Sequence, residues 1–215
     1  MYKAALQTIG EKVRQDFDAK DSAREKGLPL SREIIRNSAN AIRSIHRGED
    51  DEARALIQQN TALLVQLETV LADHPRVYWA GFVQDAQKEF AEANLTYALI
   101  HRQDLPGPDE LKVDIAAYLN GMGEAVGELR RYILDQIRTR GENWGEDMLT
   151  AMDDIYYLLV SLDYPAAISG GLRRTADVIR SIIEKTRGDL TSSLRSKHLE
   201  AAMVRLEERL KQKES

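Results

Sequence analysis

Two pairs of glutamates stand at spacings that could do chemistry. Glu89 and Glu92 are three residues apart, and Glu124 and Glu128 are four apart. On a helix, positions i, i+3 and i+4 share a face, so each pair would present two carboxylates to one ligand. Carboxylate oxygens are hard donors that favour Mg²⁺ or Mn²⁺. Such ions suit phosphodiester cleavage, because they activate water and neutralise charge on the phosphate and the leaving oxygen. The same spacings are common on solvated or salt-bridged helices, so spacing alone leaves both readings open.

Other chemistries lack their residues. The chain has no cysteine, which removes disulfides, zinc thiolates, iron–sulfur clusters and cysteine nucleophiles together. His46, His74, His101 and His198 do not pair at metal-ligand spacing. A phosphate loop, a His-Glu-x-x-His zinc site, a Gly-x-Ser-x-Gly elbow and a dinucleotide fingerprint are all missing. The formal net charge is -5, yet residues 170–215 carry eleven Lys/Arg against seven Asp/Glu. An acidic body with a basic last helix fits a local polyanion-binding face, and it fits a solvated helix equally well.

The elements that must position these acids are helices. Helix formers dominate, strand-like alternation is nearly absent, and the only prolines are at 29, 75, 106, 108 and 165. Breaks are signalled at Gly48-Glu-Asp-Asp, Asp73-His-Pro75, Pro106-Gly-Pro-Asp109, Gly141-Glu-Asn, Asp163-Tyr-Pro165 and Gly170-Gly171. They predict helices near 2–27, 29–47, 50–73, 75–103, 109–140, 144–163 and 167–212. Pro29 either separates the first two or kinks one long helix. The expectation is an all-α, seven-helix bundle of long antiparallel helices forming a single domain over 1–215. A mean hydropathy of -0.44, with no apolar run long enough for a bilayer, predicts no membrane association. The first residues are too acidic and too interrupted for a signal or transit peptide, which makes the cytoplasm the expected location.

Helical periodicity then places the acids. Over 82–100, Phe82, Ala86, Phe90, Ala93, Tyr97 and Ile100 form an apolar stripe, with Asp85, Glu89 and Glu92 in a row beside it. Glu89 falls at the stripe's edge, where a carboxylate needs a cationic partner, either an arginine or a metal. Over 109–140 the stripe is Ile115, Leu119, Met122, Val126, Leu129, Ile133 and Ile137. Glu124 and Glu128 lie on the opposite side, where Ala117, Gly121 and Gly127 replace the usual long polar residues, with Gly123 nearby. Each mid-helix glycine costs about 1 kcal/mol relative to alanine, so close packing of a helix or bound chain is expected there, with the two acids partly enclosed.

These segments resemble a known family. Glu89-Phe-Ala-Glu92-Ala looks like the E-[FY]-x-E-A helix of Trax, the catalytic member of the translin/Trax family. Tyr118-Leu-Asn-Gly-Met-Gly-Glu124-Ala-Val-Gly-Glu128-Leu-Arg-Arg resembles the family's Y-L-x-G-x-x-[DE]-x-x-G-E-L-x-R stretch. Asp18-Ala-Lys-Asp-Ser-Ala-Arg-Glu, Leu30-Ser-Arg-Glu-Ile34 and Ile45-His-Arg47 continue in step with its first helices. The resemblance covers nearly the whole chain and is thinnest from 139 to 215. It implies the seven-helix translin fold and ring- or shell-like octamers holding nucleic acid inside. It also implies Mg²⁺- or Mn²⁺-dependent endoribonuclease activity on single-stranded RNA. The catalytic and metal-holding residues would be Glu89, Glu92 and Glu124, with Glu128 adjoining. Trax usually has aspartate where this chain has Glu124, and its animal forms carry a basic N-terminal extension. This chain starts almost at the first helix, as a compact prokaryotic or archaeal relative would.

Arg24, Arg32, Arg36, Arg43, Arg130 and Arg131 are the expected nucleic-acid contacts, with pairing to nearby acids as the plain alternative. Tyr78 and Trp79 could stack on bases, or the tryptophan could anchor a core or interface. The expected partners are single-stranded RNA, with DNA also open, further copies of the chain, and a translin-like second subunit. The alternative function is a non-catalytic translin-like protein that binds single-stranded RNA or DNA. A helical interaction protein without nucleic acid is the third reading, kept open by the acidic pI of about 5.5.

Overall fold

Pro29 does not divide the first helix. In the computed structural model, which describes residues 2–140 and 145–214, helix α1 runs unbroken over Lys3–Arg47 with Pro29 inside it. An interior proline loses one backbone hydrogen bond and crowds the preceding turn, at about 3 kcal/mol in a free helix. Packing on either side offsets this. Gly27 lies against Leu67 and Leu71, its Cβ position 3.4 Å from their methyl groups. Ser31 and Ile34 are buried one and two turns further on.

The chain folds as two compact units, Met1–Met122 and Gly123–Ser215. In the first, α1 turns back into α2, Asp50–Leu71. Gly48 takes φ 73° as the left-handed cap. Its N–H donates to Ile45 O at 3.1 Å and that of Glu49 to Ser44 O at 2.9 Å, so two carbonyls left open at the helix end are satisfied. Asp50, Asp51 and Glu52 then fill the first turn of α2, where the helix dipole favours negative charge. The two helices run antiparallel. Ser44 meets Glu52, Asn60 meets Ser38 and Ile34, and Leu67 and Leu71 meet Gly27.

Short helix α3 (Pro75–Tyr78) precedes α4, Phe82–Ile100. Ala93 of α4 joins Ala41 and Ile42 of α1 in a buried cluster, with Leu56 and Ile57 of α2 against it. Fully burying a large aliphatic side chain stabilises by about 1.5–3 kcal/mol, and Ile34, Leu67, Leu71, Phe90 and Leu95 are all within 2% of complete burial. Asn60, also fully buried, donates from Nδ2 to Ile34 O and Ser38 Oγ, both at 3.0 Å. Asn60→Ala is expected to cost about 1–3 kcal/mol, since it strands those acceptors. Urea unfolding should show a lower midpoint at unchanged m.

The expected helix over 109–140 is two helices. Short α5 covers Pro108–Leu111, and α6 covers Ile115–Arg140. Asp114 caps α6, accepting from the N–H groups of Ala116 at 2.9 Å and Ala117 at 3.2 Å. Ile115, predicted as core, is 64% exposed because it is the first residue after that cap. Met122, Val126, Leu129 and Ile133 are buried as the stripe predicts, while Leu119 and Ile137 are half-buried.

In the second unit, α7 (Gly145–Ser161) lies against α9 (Leu172–Glu214), with short α8 (Ala166–Ser169) between them in sequence. Gly145 packs on Leu190 and Ile133, and the Arg187 guanidinium holds Asp153 at 2.8 Å. Gly170 and Gly171, at φ 62° and 82°, make the predicted break before α9. The predicted break at Gly141-Glu142-Asn143 lies outside the described residues. Where seven helices are expected, the described residues form six long helices and three single turns, because Pro29 is absorbed and the turns at 75, 108 and 166 separate. No helix among the described residues is long and apolar enough to cross a membrane.

Candidate metal centre and nucleic-acid face

Helix α4 is buried on most of its circumference. Besides the predicted stripe, Val83, Gln87, Ala91, Glu92, Leu95, Thr96 and Ala98 are buried, and Phe82 is half-buried. The acid row therefore enters the packed interior by degrees. Asp85 is exposed, Glu89 is half-buried, and Glu92 is only 8% exposed. A carboxylate at that depth is costly unless positive charge or hydrogen bonds compensate it. Lys88 Nζ lies 3.4 Å from Glu89 Oε1, each side chain about a quarter exposed.

The first turns of α6 close on α4 at this point. A Cβ on Gly121 would stand 2.5 Å from the Lys88 carbonyl oxygen, 3.0 Å from the Glu92 nitrogen and 3.1 Å from Ala91 Cβ. Two backbones meet here, so only glycine fits. The approach is pinned by Gln87, whose Oε1 accepts the Asp114 N–H at 3.2 Å. Its Nε2 donates to the Tyr78 hydroxyl at 3.0 Å. Burial raises the Tyr78 phenol above its ordinary range, which keeps the proton on that oxygen. Tyr118 adds a hydrogen bond from its hydroxyl to Pro106 O at 2.9 Å. Gln87 and Asp114 were not among the residues predicted to matter. The one available signal was an aspartate directly before an apolar helix start, which is an N-cap pattern.

Glu124 and Glu128 follow Gly121 at i+3 and i+7 on the same unbroken helix. They share its face, within about 60° at 100° per residue. The glycines of this stretch are not equivalent. A Cβ on Gly123 would overlap Thr175 Cγ2 in the second unit, whereas one on Gly127 would meet nothing within 4 Å. The expectation of close packing thus holds for Gly121 and Gly123 and fails for Gly127, which faces open space. Glu128 is held by Arg131 Nη1 at 3.7 Å.

The six predicted arginines divide. Arg24, Arg32, Arg36 and Arg43 are all exposed on α1. Arg32, Arg36 and Arg43, with Arg47 one turn beyond, fall on one face. Arg24 pairs with Glu25 at 3.0 Å, and Arg43 bonds Asn40. Arg32 and Arg36 make no ion pair among the described residues. Arg130 is engaged inside the second unit, with Thr186 Oγ1 at 3.1 Å and Asp189 Oδ2 at 2.8 Å. Trp79 is 61% exposed and meets Tyr78 edge-on, ring centroids 5.1 Å apart.

No family model matches the chain. An uncharacterised protein of Methanocaldococcus jannaschii is 33% identical over 190 residues, which span 87% of this chain and 84% of that protein. Among solved structures, AfC3PO alone and in its complex with duplex RNA are each 32% identical, with TM-score 0.81. The match covers 86% of this chain and 96% and 97% of theirs, the RNA complex first. Apo-NeC3PO shares the fold at 21% identity and TM-score 0.76, over 85% of this chain and 96% of its own. With the glutamate motif on α4 and the glycine-rich motif on α6 in place, likeness of fold and sequence over most of the length leads to one assignment: the chain belongs to the translin/Trax family.

Proposed function

We propose that this protein is a divalent-metal-dependent endoribonuclease, with Glu89, Glu92 and Glu124 holding Mg²⁺ or Mn²⁺ and Glu128 adjoining. The observation that carries the proposal is the buried Glu92, set on α4 where the Gly121 backbone of α6 meets it, with Glu124 one turn further along that helix. An all-carboxylate donor set fits a small hard cation and fits zinc or copper poorly. Such an ion would supply charge neutralisation at the scissile phosphate and a more acidic water. The chain's own part is to fix the carboxylates by the Gln87–Asp114 and Gly121 contacts, and to bring phosphates to them.

The Arg32–Arg36–Arg43 row is the proposed phosphate-binding face, with Arg24 a further candidate on α1, Arg131 a separate candidate on α6 and Arg130 chiefly structural. AfC3PO has been seen with duplex RNA, so both duplex and single-stranded RNA are candidate ligands, with single-stranded RNA the proposed substrate. Replacing Arg32 and Arg36 together by alanine is expected to weaken RNA binding and lower the slope of log K against log salt by about one per arginine. Fluorescence anisotropy across a salt series reads both.

Self-association into a shell, of which an octamer is the proposed form, is supported by uncovered apolar surface. Tyr2, Leu6, Ile9, Val13 and Phe17 are 43–73% exposed along α1, and Tyr157, Leu158 and Val160 are 44–68% exposed on α7. Patches of this kind mark interfaces.

The test is incubation of labelled single-stranded and duplex RNA with the protein in Mg²⁺, in Mn²⁺ and in EDTA. Internal cleavage that needs the metal is the expected result. RNA retained in a salt-sensitive way without cleavage would instead establish the binding-only protein.

A further inference from the structure

Val83, Gln87, Phe90 and Asn94 follow one another along α4 at spacings of four, three and four. Helical periodicity puts them on the face opposite the row of Asp85, Glu89 and Glu92. That face does not close fully on its neighbours. A cavity of about 110 Å³ lies between it, Leu64 and Leu67 of α2, Tyr78 of α3, and Glu110 to Lys112 at the end of α5. All of these residues belong to the first unit. Well-packed interiors hold few voids larger than a water molecule, so a space of this size calls for an occupant.

The groups around it are unsatisfied in a patterned way. The wall is apolar, built from the buried Leu64, Leu67, Val83 and Phe90. The Tyr78 hydroxyl accepts from Gln87 at 3.0 Å, and its own proton has no acceptor among the described residues. Asn94 donates from Nδ2 to Phe90 O at 2.8 Å, and its Oδ1 receives no donor among them. Glu68, Glu110 and Lys112 are exposed, so the cavity opens to solvent on their side. None of the three makes an ion pair among the described residues. Lys112 stands two residues from Glu110 and carries the opposite charge, yet the two do not pair. Lys112 also holds φ 54°, a left-handed conformation that favours glycine. A lysine at such a position points to a use for its side chain.

An apolar wall with a few convergent polar groups is the usual form of a small-molecule pocket. Here those groups match both ends of a zwitterion. A carboxylate would take the Lys112 ammonium and the Tyr78 proton. An ammonium would take Glu68 or Glu110 and the Asn94 carbonyl. The space is smaller than the roughly 150 Å³ that accommodates benzene, so the apolar body is aliphatic, not aromatic. Two acids against one lysine disfavour phosphate, which sets the cavity apart from an RNA path.

We propose that this cavity binds a free α-amino acid with a branched aliphatic side chain. The site is separate from the glutamate centre, and its failure would leave the nuclease reading untouched. Calorimetric titration of the full chain, without metal or RNA, tests it with L-leucine and L-valine. Two analogues run beside them: 3-methylbutylamine, which is leucine without its carboxylate, and 4-methylpentanoate, which is leucine without its ammonium. One amino acid per chain should bind and raise the melting temperature, with each analogue about tenfold or more weaker, since each leaves charged groups unmatched. Glu110→Gln and Lys112→Gln, both at exposed positions, should weaken leucine by a similar factor. Lys112→Gln should leave 3-methylbutylamine unaffected. Neither heat nor a rise in melting temperature with either amino acid would overturn the proposal. So would an analogue that binds as tightly as leucine, or leucine binding undiminished in both variants.

Discussion

Glu92→Gln is expected to lower metal-dependent RNA cleavage by about a hundredfold or more, equivalent to about 2.7 kcal/mol of transition-state stabilisation. Glutamine keeps the shape of the side chain and can still hydrogen bond, but it carries no charge and is a poor ligand for Mg²⁺. Folding should change by less than about 1 kcal/mol, and RNA affinity, which the proposal assigns to the exposed arginines of α1, should be retained. Glu89→Gln should behave similarly, while Glu128→Gln, whose carboxylate already pairs with Arg131, should lose less. A single-turnover cleavage series with thermal unfolding of each variant checks this. A Glu92→Gln protein that cleaves at the wild-type rate would remove that residue from the reaction.

The second large effect is structural. Gly121→Ala would put a methyl group 2.5 Å from the Lys88 carbonyl oxygen. That atom is helix backbone and cannot swing aside, so the two helices must separate. Overpacking of this kind costs about 1–3 kcal/mol, and the upper part of that range is expected here. Because the displaced helix carries Glu124, activity should fall further than stability. Gly127→Ala is the matched control. Its methyl would meet nothing within 4 Å, and alanine gains about 1 kcal/mol of helix propensity, so the variant should be more stable. Differential scanning calorimetry should separate the two in opposite directions, by about 2–4 °C per kcal/mol.

This contrast marks what could be read from the sequence. The glycine-rich stretch of α6 was visible as an anomaly, but nothing in the letters distinguishes Gly121, pressed on α4, from Gly127, facing open space. That difference arises only when a second helix is in place. The helix ends at Gly48, Pro75 and Gly170–Gly171 follow from local chemistry and were legible. Pro29 was ambiguous because its local cost is offset by packing of Gly27 against Leu67 and Leu71, contacts roughly 40 residues away in the chain. Periodicity found one buried stripe on α4. It could not show that Gln87, Glu92 and Thr96 are buried as well, because polar residues read as surface until their partners are known. The four glutamates are singled out by spacing and motif, and their role is the proposal to be tested.

The carboxylate site is tested most directly by Mn²⁺ binding, read by electron paramagnetic resonance on the RNA-free protein and on Glu92→Gln. One ordered Mn²⁺ per chain in the wild type, lost in the variant and displaced competitively by Mg²⁺, is the expected result. Equal Mn²⁺ binding by both proteins, or no ordered site in the wild type, would contradict the metal centre and leave the glutamates as part of the fold.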